Sequence, residues 1–472
     1  MPPIFYFIPV GIVLATIGAR FWRPVVVGVL VWLLFEGAVR KWVLPQFQGP
    51  ILLLKDGVLL AAYLGYFVSE RSLVQPSERL RGFGYLFLVV CVYCGLEVLN
   101  PNSPSVALAL YGLKNYLLYV PLAFVIPELF RTRQDIHKVI LWMTLLAFPI
   151  CLLALYQFTQ PPASWVNLYV SHDAAREEVA AVFGQAGQGE FTVGRARTSS
   201  TFSYLSGFTT YLTLMLPFFA SMLLHSYGRN RETLMIGAAM VLTVAATLTT
   251  GSRSPVITFF AVAPLLVLIA GGKGMLSPTI MLRVVVGTVV VSISALWIAA
   301  GAASAFLYRA NNADSASDRL VSPITEAIRA YNVTPLFGLG IGSNSNAAVT
   351  LAGSDFYWLQ GNFFEGEFAR VMQDLGFAGF TLVYGLKVYA VVLISRFIMQ
   401  SRSRLFVALH SAALGFMLPH FLLFTVNNPT GGVMFWSLLG LSVAMNRIER
   451  RELAVLHELN LLPDSEPRMA AA

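Results

Sequence analysis

The sequence predicts an all-α membrane protein, a single polytopic bundle of about 12–13 transmembrane helices over residues 1–472, with a long helical external loop between late spans. Three observations predict it. Hydrophobic residues make up 57% of the 472 and charged residues only 12%, with a mean hydropathy of +0.69; soluble domains carry about 25% charged residues. The apolar residues come in runs close to the ~20 needed to cross a bilayer. The remaining charges gather mainly in the segments between those runs.

The runs fall near 4–19, 23–39, 50–69, 82–98, 106–127, 137–158, 202–225, 233–250, 254–271, 281–306, 364–396, 403–425 and 430–446. Only helices and closed barrels satisfy backbone polar groups in lipid, and runs this long imply helices. The first lacks a basic leader and a small-residue cleavage site, so it reads as a retained span. Cys91, Cys94 and Cys151 all lie in apolar runs. The Cys91–Cys94 spacing is that of a redox motif, but an apolar helix without neighbouring charge does not make a low-pKa thiolate, and packing is the expected role.

Alternate loops differ in charge. Arg20 and Arg23, Arg71, Arg79 and Arg81, Arg131, Arg133 and Lys138, Arg229 and Arg231, Lys273 and Arg283, Arg396, Arg402 and Arg404, and Arg447, Arg450 and Arg451 all fall on one side. The positive-inside rule makes that side cytoplasmic, with the amino terminus outside and a cytoplasmic tail at 447–472. The net charge of +8 therefore sets topology and does not point to nucleic acid. The opposite side carries two long loops, 159–201 and 307–363, together with Arg40, Lys41, Arg195, Arg197, Arg253, Arg309, Arg319 and Arg329 against the usual bias. Surface solvation and headgroup contact account for any one of them; as a group they suggest an anion-binding floor.

Arginine grips phosphate through a bidentate fork and stays charged at low dielectric. Arg197 stands before a span in Arg195-Ala-Arg-Thr-Ser-Ser-Thr-Phe202, where neighbouring hydroxyls could donate to the same anion. Arg253 occupies a tight turn between spans, where structural and binding roles are equally open. Arg319 precedes an expected amphipathic helix, Pro323 to Tyr331. Glu365, where the chain returns to the membrane, is the candidate base, since partial desolvation would raise its proton affinity; a helix cap is the alternative. By spacing, Arg370 pairs with Glu367, and Asp374 continues that stripe. Asp-x-Asp pairs and a histidine-based triad are absent from the external loops, so no metal or other cofactor is expected. Glu36, Lys55, Asp56, Glu97, Lys114 and Lys387 sit within apolar runs and require partners or a polar cleft.

These pieces resemble the O-antigen ligase and polymerase superfamily of polytopic bacterial glycosyltransferases. The resemblance rests on Arg197-Thr-Ser-Ser-Thr-Phe202, Thr250-Gly-Ser-Arg-Ser254, Asp318-Arg-Leu320 followed by Pro335-Leu-Phe-Gly-Leu-Gly-Ile-Gly342, and the segment from Glu365 to Gly379, in family order. It implies metal-independent, inverting transfer of a glycan from a polyprenyl-diphosphate carrier on the periplasmic face of the inner membrane. Arg197 and Arg319 match the diphosphate-binding arginines. In the ligases a His-Asn pair stands eleven and ten residues before a loop-ending glycine. Counting back from Gly376 gives Glu365 and Gly366, so the glutamate replaces the histidine, a pattern closer to the polymerases; it would act as base or orient the acceptor sugar. Arg253, Arg40, Arg370 and Asn362 are expected to bind substrate. The implied partners are a polyprenyl-diphosphate-linked oligosaccharide as donor and acceptor, membrane lipid, a flippase and a chain-length regulator. A ligase, or a transporter of anionic solutes, is the alternative.

Overall fold

A computed structural model describes residues 13, 16–69, 78–169, 195–224, 230–276, scattered positions between 278 and 303, and 316–345, 347–348, 351, 364 and 366–458. The helices are α1 (Trp22–Ala38), α2 (Gln48–Ser69), α3 (Glu78–Glu97), α4 (Val106–Leu117), α5 (Leu122–Val125), α6 (Arg133–Thr159), α7 (Leu205–Leu224), α8 (Asn230–Thr249), α9 (Ser254–Gly272), α10 (Ala316–Val333), α11 (Glu367–Gln400), α12 (Arg404–Met417) and α13 (Pro429–Glu458). Among the described residues there is no β-strand, and nine helical stretches are long and apolar enough to cross a membrane. The chain is an all-α, multi-pass bundle. Those nine stretches coincide with nine of the apolar runs; the runs at 4–19 and 281–306 lie largely outside the described residues.

The core is built by α7, α12 and α13, where Phe208, Phe219, Phe406, Phe416 and Phe435 are fully buried. Small residues let the backbones approach. A Cβ on Gly440 would lie 2.8 Å from Leu122 O, and one on Gly415 would lie 2.8 Å from Val262, the close packing expected where lipid supplies no hydrophobic drive between helices.

Three runs fold differently from plain spans. Run 106–127 is broken at Leu118–Pro121 between α4 and α5. Pro121 has no N–H to return to the Leu117 carbonyl four residues back, which accepts from Val120 N at 3.3 Å instead; Leu122 N turns to Tyr119 O at 3.2 Å, and the Leu118 carbonyl it leaves accepts from Tyr63 Oη at 3.0 Å. Run 403–425 is not one span. Helix α12 stops at Met417, Pro419–Phe421 makes one 3₁₀ turn, and the chain stays non-helical to Pro429. Run 364–396 doubles back. In a straight helix Glu367 and Lys387 would be about 30 Å apart at ~1.5 Å per residue, yet their side chains meet at 2.7 Å. The reversal is at Gly376, whose φ of 62° and ψ of −171° suit only glycine. Thus Glu367–Leu375 is a short ascending limb laid against the descending span Phe377–Gln400, with Phe368 edge-on to Tyr384 at 4.6 Å.

Polar contacts define two ends. At the lower end Arg133 binds Glu452, Arg447 binds Glu128, Ser401 and the Arg402 and Ser403 amides bind Glu449, and Lys273 donates to Met399 and Ser401 carbonyls. The upper end gathers Val39–Val43, the 99–105 turn, the 195–203 segment, the turn after α8 and the reversal at Gly376. Helix α13 runs through Glu458, so helix continues into the 447–472 segment.

Candidate functional site

The upper end is organised around Arg197–Ser203, a non-helical segment drawn into the bundle. Its amides and hydroxyls are tied to three helices, α1, α6 and α8. Ser200 N donates to Gln157 Oε1 at 2.8 Å and Ser200 Oγ to Ile150 O at 2.7 Å. Thr198 N donates to Thr249 O at 3.2 Å, and the Thr198 and Thr249 hydroxyls are 2.6 Å apart. Thr201 Oγ1 donates to Leu34 O at 2.5 Å. Gly37 permits this seat, because a Cβ there would fall 2.0 Å from Ser203 N. The hydroxyls of Thr198, Ser200 and Thr201, expected to help hold an anion, are therefore committed to the scaffold.

Cations converge on this segment. Arg40 donates to Ser203 Oγ at 3.0 Å, and Lys41 to Ser199 Oγ at 3.1 Å and to Ser200 O at 2.6 Å. Both sit on a π-helical turn, Val39–Val43, that continues α1; such turns widen the helix and re-aim consecutive side chains. Arg197 Nε donates to Thr250 O at 2.9 Å, and Arg253, only 8% exposed, stands three residues later at the N-cap position of α9 without a side-chain capping hydrogen bond. Gly251, at φ 58°, makes the turn between them. Three of the sequence-predicted residues, Arg40, Arg197 and Arg253, thus share one scaffold.

Behind Arg40 runs a buried charge ladder. Glu36 lies 3.4 Å from Arg40 and 3.1 Å from Lys55; Asp56 lies 3.8 Å from Lys55 and 2.8 Å from Lys114, and accepts from Tyr119 Oη at 2.9 Å. The ladder holds three cations and two carboxylates. Low dielectric makes such an excess expensive unless an anion completes it.

Arg370 stands in a second group, on the ascending limb. It is 8% exposed, donates through Nε to Phe364 O at 2.9 Å and lies 5.3 Å from the Phe424 ring centre. The buried cation on Glu367 is Lys387, not the Arg370 that spacing suggested. Glu367 also accepts from Thr425 N, from Thr425 Oγ1 at 2.9 Å and from Val426 N at 2.8 Å. One fully buried carboxylate therefore staples the non-helical 422–428 segment to the bundle. Asp374 likewise departs from the expected stripe, accepting from Tyr116 Oη at 2.9 Å and from Asn344 N at 2.8 Å. The glycine-rich turn closes over this limb: a Cβ on Gly338 would lie 2.5 Å from Asp374 O, and one on Gly342 would lie 2.7 Å from Leu108 O. Helix α4 divides the two groups, with Lys114 on Asp56 and Tyr116 on Asp374.

Arg319 lies in the first turns of α10, which is longer than the expected Pro323 to Tyr331 helix; its side chain is outside the described residues. Glu365 and Asn362 lie outside the described residues. Among the described residues no group of three or more His, Cys, Asp and Glu side chains could hold a metal ion. Sequence reasoning placed Lys41 beside Arg40 among the external cations without giving it a role of its own, and missed the Glu367–Lys387–Thr425 staple. Lys387, alone in an apolar run, signalled the need for a buried acid without saying which. No family model matches the chain, and a search of curated proteins gives no match.

Proposed function

We propose that the protein is a membrane-embedded glycosyltransferase that polymerises polyprenyl-diphosphate-linked oligosaccharide repeat units at the upper, external end of the bundle. One observation carries the reading: the buried excess of positive charge around Arg197–Ser203, where Arg40, Arg197 and Arg253 share one rigid scaffold. A diphosphate held there would leave the anomeric carbon as an acceptor hydroxyl attacks from the opposite side. The C–O bond to the carrier breaks, its electron pair goes to the diphosphate, and the arginines stabilise the charge that develops. Such preorganised electrostatics is the main catalytic term, and loss of one donor costs about 10²–10³ in rate. The proton from the acceptor passes to a carboxylate, for which Glu365 is our candidate; base assistance adds about 10²–10⁴. Arg319 is our second diphosphate ligand, with Arg370 and Asn362 on the acceptor sugars.

The test uses purified protein in lipid nanodiscs with a lipid-linked repeat unit. A ladder of lengthening products is expected from the wild type, and a 100-fold or greater loss from Arg197→Ala or Arg253→Ala at unchanged melting temperature, partly restored by Arg197→Lys. Full-length polymer from both alanine variants would remove the diphosphate from this scaffold; a single glycan addition to a different acceptor would make the protein a ligase. The broken span at Leu118–Pro121 favours one second reading, an anion transporter, since interrupted helices near mid-membrane mark transport sites. Carrier-independent uptake of an anionic solute into proteoliposomes would select it.

A further inference from the structure

Helix α10 has three faces. Glu326 and Ala330 turn to the ascending limb: Glu326 Oε2 accepts from Gly366 N at 2.7 Å, and Ala330 packs with Phe364, Ala369 and Met372. Thr325, Arg329 and Asn332 form an exposed polar flank. Val321, Ile324, Ile328 and Tyr331 recur at the spacing of one helical stripe, and each is more than half exposed. The stripe meets exposed Phe377 through the Tyr331 ring, edge-on at 5.7 Å, and Leu336 and Phe337, which follow α10 in the chain, are exposed as well.

We infer that α10 is seated in the leaflet at the upper end of the bundle, with Val321, Ile324, Ile328 and Tyr331 against lipid acyl chains. Two observations select lipid as the occupant. Phe377 is the first residue of the membrane-crossing part of α11, so the stripe is continuous with the lipid-facing surface of a span. Depth agrees. Glu326 grips Gly366, next to Glu367, whose carboxylate reaches Lys387, and Lys387 lies ten residues, about 15 Å, down the span from Phe377. The middle of α10 is thus level with the interior of a leaflet rather than above it. A helix with one apolar and one polar side suits that position, and its polar flank would give a charged lipid headgroup a path past the acyl chains. The inference needs only a membrane-spanning bundle and stands whether or not the protein transfers sugar.

Photo-crosslinking in native membranes tests it on the full chain, with p-benzoylphenylalanine incorporated at Ile328 in one variant and at Arg329 in another. Phospholipid adducts found by mass spectrometry at 328, several-fold above those at 329, are expected. No lipid adduct at 328, equal yields at both positions, or a covalent dimer of the chain at 328 would each overturn it, the last assigning the stripe to a second copy. Spin labels on Ile324→Cys and Arg329→Cys, in a background with Cys91, Cys94 and Cys151 changed to alanine, provide an independent measure. Oxygen should relax the first label more than a water-soluble nickel chelate does, and the second label the reverse; the chelate dominating at both sinks the inference.

Discussion

Glu367 and Lys387 are both about 1% exposed or less, and the carboxylate carries three further donors from Thr425 and Val426. Removing one partner of a buried pair leaves an uncompensated charge and costs about 3–5 kcal/mol, whereas replacing both by groups of similar size is often nearly neutral. Glu367→Gln and Lys387→Met should therefore each lower the melting temperature of the detergent-solubilised protein strongly, and the double variant should lose much less than the sum of the singles. Additive losses would mean that the two side chains do not act as a unit. The same position shows how far local spacing carries. The i+3 and i+4 intervals from Glu367 through Arg370 to Asp374 suggested a self-contained stripe, but the acids take Lys387, Tyr116 and Asn344 instead. In a desolvated interior a carboxylate needs several short donors, and those come from segments far away in sequence, which no spacing argument reaches.

At the scale of elements, most spans were legible because the length and apolarity of a run fix a helix in lipid; its interruptions were not. Pro121 marks a break, while Pro149, Pro217 and Pro264 lie inside continuous helices, so proline alone does not separate the two outcomes. At the break near Pro121 the Leu118 carbonyl, left by Leu122 N, is taken by Tyr63 Oη from another helix, a contact that no local signal announces. The reversal in α11 has a sharper local signature. Gly376 holds a backbone conformation that costs another residue of order 1–3 kcal/mol, and a Cβ there would fall 2.0 Å from Leu336 O. Gly385, on the same helix, has open space around its missing Cβ. Gly376→Ala should therefore reduce the yield of monodisperse protein in fluorescence-detected size-exclusion chromatography severalfold and lower its melting temperature. Gly385→Ala should match the wild type or gain slightly in stability, since alanine is the better helix former by about 1 kcal/mol. Equal behaviour of the two variants would refute the reversal as the element that sets the limb in place.

Over the whole molecule the two ends use positive charge in opposite ways. At the lower end Arg131, Arg133, Lys138, Arg231, Arg404, Arg450 and Arg451 are exposed, as expected of residues that set topology by staying in water. At the upper end Arg40, Lys41, Arg253 and Arg370 are each no more than 8% exposed and are held by the scaffold. Sequence reading separated these groups by side, from alternate loops, but not by burial, because burial of Arg40 and Lys41 depends on the 195–203 segment folding into the bundle from more than 150 residues away. The proposed reaction requires the buried group to face away from the cytoplasm, where a carrier-linked repeat unit would arrive. Asn102 and Arg131 are exposed positions at the upper and lower ends respectively. In a background with the three cysteines changed to alanine, Asn102→Cys should react with a membrane-impermeant maleimide in intact spheroplasts, and Arg131→Cys only after the membrane is opened. Labelling of both in sealed cells would break the two-ended bundle. The reverse pattern would keep the bundle but turn the arginine scaffold toward the cytoplasm, and external polymerisation at that site would then be impossible.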